Sequence, residues 1–158
     1  MSETLQKSKI RIIDNNTIRT ELAGVIITLD KAILSKWAIS NSLRIMDLID
    51  YDVICNNLIN KGIEMNQLCI CKLITINELR EIGFEIHRLA KSEENLIIKY
   101  ALRSFGHAIS VAHMKEHALV SSDYVIKALN LLHENNFNIA SHERNIQLLK
   151  LKELTLQK

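Results

Sequence analysis

Apolar side chains recur along this chain mostly at intervals of three and four, the spacing that lines one face of an α-helix. From residue 28 onward the pattern resolves into segments. Thr28 is placed to cap a helix over residues 28–49, with Ile33, Trp37, Ile39 with Ser40, and Leu43 with Arg44 along its apolar face. Asp50 or Asp52 then caps a shorter helix that stops before Gly62, a residue suited to the position just past a helix end. GIEMNQLCICKL, residues 62–73, carries another short helix. Thr75-Ile76-Asn77-Glu78 has the T-x-x-E form of a capping box and opens a helix with Leu79, Ile82, Ile86, Leu89 and Ala90 on one face. Ser92, followed by Glu93 and Glu94, opens the next, because acidic groups favour a helix N-terminus. Ser141 caps a last short helix before a fraying tail. The start reads two ways: KIRIIDNNTIRTEL is either a hairpin around Asp14-Asn15-Asn16 or a helix beginning after Asn16.

The chain has no proline and only four glycines, so little punctuates these helices. A sandwich or barrel would need turn signals at intervals of about 8–12 residues. The expectation is an all-α, single-domain bundle of about six helices: an N-terminal segment over 1–28, the helical domain over 29–150 and a tail over 151–158. At 158 residues one domain with a real core is the natural size.

Composition narrows the function classes. Twenty basic and 18 acidic side chains are mixed along the chain for a net charge of +2, with no basic block to hold nucleic acid. Aromatics at 4% are too few for base-stacking platforms. No apolar run approaches the ~18 residues of a membrane span, and the first residues lack the apolar core of a secretory signal. A cytoplasmic protein with no membrane or nucleic-acid partner is expected. Cys55, Cys69 and Cys71 lie among apolar residues and read as reduced thiols, with no zinc-ligand spacing.

One stretch carries candidate chemistry. GHAISVAHMKEHALVSSDY, residues 106–124, holds three of the six histidines, and His113-Met114-Lys115-Glu116-His117 reads H-x-x-E-H, a spacing used by some zinc peptidases. Such a site needs His113 and His117 on one face of a continuous helix, a third ligand, an open position and Glu116 as general base. Helical spacing instead puts Ile98, Leu102, Phe105, Ile109, Ala112 and Val120 on one stripe, and Glu116 near its middle. An unpaired carboxylate there is costly to bury, so either a cation meets it or the helix breaks. A second stripe through His117, Val120, Ser121, Tyr124, Ala128 and Leu131 favours a bend between His113 and His117. The histidines are then read as packing and hydrogen-bonding groups between helices, near Tyr124 and His87. Ser104, Ala108 and Ala112, with Gly106, form a ridge of small residues that lets another helix approach. No nucleophile motif, phosphate loop or calcium loop is present, and Ser40-Asn41-Ser42 reads as a helix surface. No catalytic residue and no cofactor are expected.

Three segments resemble a known family. LDKAILSKWA, residues 29–38, with RIMDLI at 44–49, is similar to the start of a family of small all-helical bacterial proteins labelled putative immunity proteins, Imm-5-like. EIHRLAK, residues 85–91, resembles its "aaHxxAR" helix, with Lys91 in place of arginine. RSFGHA at 103–108, running through Ala112-His113-Met114 to His117-Ala118, Tyr124 and Val125-Ile126-Lys127-Ala128, resembles "RaaGHAvatAHvxxHAlgaaxYalkA". The likeness spans about residues 29–130 and is loose over 51–75. It marks Trp37, His87, Gly106, His107, His113, His117 and Tyr124 as family-motif residues, mainly at helix contacts. The function it implies is that of an immunity protein that binds and neutralises a cognate toxin or effector protein without catalysis. A metal-dependent hydrolase using His113, Glu116 and His117, and a helical oligomerisation module with a homo-oligomer as partner, are the alternatives.

Overall fold

The computed structural model describes residues 7–53 and 56–157. Among them are seven α-helices and no strand: α1 (Asn16–Ile27), α2 (Lys31–Leu48), α3 (Asn57–Ile70), α4 (Ile76–Ser92), α5 (Leu96–Ile109), α6 (Glu116–Leu132) and α7 (Phe137–Leu156), with a 3-10 turn, Ser110–Ala112, after α5. The all-α expectation holds, with one helix more than about six.

Several ends differ from expectation, and each has a local cause. Asparagine caps four helices: the side chains of Asn15, Asn56, Asn95 and Asn136 accept from backbone N–H groups in the first turns of α1, α3, α5 and α7. They displace the expected caps Asp50 or Asp52, Ser92 and Ser141. Asp30 caps α2, and Thr28 closes α1 instead. Gly62 ends nothing. It lies buried inside α3, where a Cβ would come within 3.0 Å of the Phe105 ring, so the two short helices expected around it are one. The Thr75–Glu78 capping box forms as read. α7 starts earlier and runs through residues 151–156, set apart above as a tail; Leu151 is fully buried. Cys55 lies outside the described residues.

The start of the chain takes the helical alternative, and residues 7–15 are irregular. Their backbone is served by side chains where a hairpin would have supplied a second strand. Asn130 accepts from Ile13 N at 2.7 Å and donates to Ile13 O at 3.0 Å, and Lys127 Nζ donates to Arg11 O at 3.0 Å.

The centre of the bundle is formed by α2, α5 and α6, which pack on one another. On one side α4 lies on α5 and α3 lies on α4; on the other, α1 and α7 pair and cover α6. The core runs through Leu22, Leu34, Trp37, Ile45, Ile86, Leu102, Phe105 and Val125, all at most 2% exposed. Trp37 faces α7 and donates from Nε1 to Gln147 O at 2.8 Å. Asn41 and Ser42, read above as surface, are fully buried, and only Ser40 is exposed. Ser42, Ser104 and Ser121 close a hydroxyl triad between α2, α5 and α6, with Oγ–Oγ distances of 2.7, 3.2 and 3.3 Å.

The core also holds charge. Arg19 forks onto Asp123 at 2.9 and 2.8 Å, and Arg144 bridges Asp123 to Asp14, holding Asp14 at 2.7 and 2.9 Å. Arg144 is fully buried, and Ser122 and Gln147 take its remaining N–H at 3.0 Å each. Every charge in the group therefore has an opposite partner and hydrogen bonds, the condition under which buried ions are tolerated.

A histidine cluster between three helices as candidate functional site

The continuous helix that H-x-x-E-H requires does not form. α5 ends at Ile109, the chain tightens through Ser110–Ala112, and α6 begins at Glu116. The break is the one expected from Glu116, though it starts earlier than the bend placed between His113 and His117. His113 and Met114 turn on Ser110, whose carbonyl accepts from both backbone N–H groups at 2.9 and 3.2 Å. Lys31 Nζ clamps the turn by donating to His113 O at 3.1 Å. Glu116 thus stands in the first turn of α6, where the helix dipole favours a carboxylate.

The break changes which histidines meet. His107 on α5 and His117 on α6 face each other with Nδ1 atoms 2.9 Å apart. One must donate and the other accept, so the two rings carry opposite tautomers. His87, from α4, meets His107 edge-on with ring centroids 5.0 Å apart, and Tyr124 stacks on His107 at 5.4 Å. Tyr100 continues the stack beyond Tyr124 at 5.9 Å, and His113 lies 6.2 Å from His117. Gly106 makes the arrangement possible: a Cβ there would come within 2.7 Å of the His87 ring. Sequence reasoning placed His87, His113, His117 and Tyr124 together, and the structure brings all four to one place with His107. Trp37 is elsewhere, on α2 where it meets α7.

Burial favours the neutral form of His87, His107 and His117. Burial pushes His107 down from 6.5 to about 3, helped by His87, His117 and Arg103. Burial also lowers His87 to about 4, with Arg103 and then His117 adding repulsion. His117 is lowered by burial and His113, against a smaller opposing pull from Glu116. A cavity of about 270 Å³ opens beside these rings, with Arg80 and Phe84 on its α4 side. Neutral imidazoles can ligate metals, yet among the described residues no group of three or more His, Cys, Asp or Glu side chains is placed to hold an ion.

Two features escaped the sequence reading. The Arg19–Asp123–Arg144–Asp14 network joins residues 21, 104 and 130 positions apart, with no local signal in the chain. The serine triad did leave one: Ser104 was noted as small, but its hydroxyl is also a link.

In comparisons with known proteins, the family model described as "Imm-5 like putative immunity protein" matches residues 24–154. No curated protein and no solved structure matched. The match begins late in α1 and ends late in α7, taking in every helix contact of the histidine cluster. The chain belongs to the Imm-5-like putative immunity protein family.

Proposed function

We propose that the chain is a bacterial immunity protein that acts in the cytoplasm, binding a cognate toxin and neutralising it stoichiometrically, without turnover. The observation that carries this reading is the family match over residues 24–154. The geometry supports it in one further way. The motif residues are engaged in holding helices together: Trp37 ties α2 to α7, His107 and His117 join α5 to α6, and Gly106 seats His87 of α4. With these residues committed to the scaffold, recognition of the toxin falls to exposed side chains. An interface of that kind buries roughly 1,200–2,000 Å² and rests on a few anchors. Its sequence should follow the toxin.

The test is co-expression with the toxic product of a neighbouring gene. Growth should be rescued and the two chains should co-purify in one-to-one complex, also when His113 and His117 are both replaced by glutamine. A chain that neither rescues growth nor co-purifies with that product loses the reading. Stoichiometric zinc in the purified protein, lost together with rescue in the double glutamine variant, would transfer support to the hydrolase alternative.

A further inference from the structure

We propose that the cavity beside the histidine cluster binds a small oxyanion, held by the Nε2–H groups of His87 and His113 and by the guanidinium of Arg80. This inference does not depend on the toxin reading. The cavity, about 270 Å³, is walled by Arg80, Phe84 and His87 of α4 together with His107, His113 and His117, and no carboxylate is among its lining residues. The Arg80 guanidinium lies 5.6 Å from the centre of the Phe84 ring, a cation–π contact at the mouth of the site between two residues of its wall.

Tautomers decide what the site can hold. Nδ1 of His87 and Nδ1 of His113 are both buried without a hydrogen-bond partner. A buried N–H with no acceptor is rarer and costlier than a buried lone pair with no donor. The protons of these two rings therefore sit on Nε2, the nitrogen that each leaves accessible. Both rings line the cavity, and their Nε2–H groups are the donors assigned here to the anion. His107 and His117 spend their Nδ1 atoms on each other at 2.9 Å, and the Ser110 hydroxyl donates to Gly106 O at 2.8 Å.

A divalent cation would need the opposite arrangement. Metal-bound histidines keep a lone pair on the ligating nitrogen and donate the other N–H to a carboxylate, carbonyl or water. Neither His87 nor His113 has such an acceptor at Nδ1. Arg80 in the wall and Arg103, whose charge reaches His87 and His107, would repel a metal ion and attract an anion, while Glu116, whose charge reaches His117, acts against them.

The test uses the full chain and inorganic sulfate, whose charge is constant near neutral pH, at fixed ionic strength. Imidazole 15N NMR should show saturable shifts of the His87 and His113 Nε2 signals. Arg80 is exposed, so Arg80→Ala should fold as the parent does and bind sulfate about tenfold more weakly or worse, the loss expected for a charge-assisted hydrogen bond. A parallel titration with O-phosphoserine distinguishes an ion that arrives free from one carried on a larger group; tighter binding than sulfate identifies the carried form, and equal binding the free form. Shifts that grow linearly without saturation overturn the proposal, as does sulfate binding undiminished in Arg80→Ala. Stoichiometric zinc binding that moves the same two rings would assign the cavity to a cation instead.

Discussion

Trp37 and Gly106 show how single residues set this fold. Trp37 is 1% exposed and its indole N–H satisfies the Gln147 carbonyl. Trp37→Ala should cost about 3–5 kcal/mol in urea unfolding followed by circular dichroism, from lost burial and the cavity left behind. Trp37→Phe keeps most of the volume but orphans the carbonyl, and should cost about 1–3 kcal/mol. Gly106 faces a different constraint. In Gly106→Ala the new methyl meets the His87 ring at 2.7 Å, and displacing a packed ring costs about 1–3 kcal/mol. The same change made in a His87→Ala background should cost clearly less, because the obstructing ring is gone. Equal costs in the two backgrounds would mean that the ring does not set the requirement for glycine. At this scale the candidate site was partly legible. Glu116 on an otherwise apolar stripe announced the break between α5 and α6. The pairing of His107 with His117 was hidden, because it depends on the path the chain takes through that break.

Helix ends show what local sequence can and cannot specify. The capping box at Thr75 was readable because both of its hydrogen bonds lie within four residues. The asparagine caps were harder: each has another plausible cap nearby, and tertiary packing chooses between them. Helix α6 hides its periodicity for a different reason. It is packed by α1, α2, α5 and α7, and residues as polar as Ser122, Asp123 and Asn130 are buried on it, so no single apolar stripe survives. The C-termini of α2 and α3 share a motif that glycine usually marks. Leu73 N donates to Leu68 O and Lys72 N to Cys69 O, and Tyr51 and Asp50 repeat the pattern on Met46 and Asp47. The left-handed residues at these two ends are Asp50, at φ 56°, and Lys72, at φ 60°; Glu134 and Asn135 after α6 are left-handed too, and no glycine in the described residues has positive φ. Lys72 is exposed, so Lys72→Gly removes backbone strain without removing packing. It should raise stability by about 0.5–1 kcal/mol, read as a higher urea midpoint at unchanged slope. A lower midpoint would show that the lysine side chain matters more than the backbone.

Across the whole molecule, the buried histidines couple folding to pH. His107 and His87 titrate near 3 and 4 when folded, against 6.5 in the unfolded chain. Below 6.5 the unfolded chain binds protons that the folded chain refuses. The stability contributed by these rings is therefore intact above about 6.5 and is lost as pH falls towards 3–4. Urea midpoints should decline through that window, and His87→Gln should flatten part of the slope. A profile level from pH 7 to pH 4 would refute the neutral description of His87 and His107. The buried ion network has a consequence of another kind, for biosynthesis. Asp14, Arg19 and Asp123 leave the ribosome before Arg144, and the Asp14 side chain, 2% exposed in the finished protein, has no guanidinium to meet until then. Helix α6 likewise lacks its cover until α7 is made. The bundle should close late and as a unit, so fragments ending before α7 should be cut quickly by protease while the full chain resists. A protein proposed to guard its own cell would then have a delay built into its chain: protection begins only once α7 has been made.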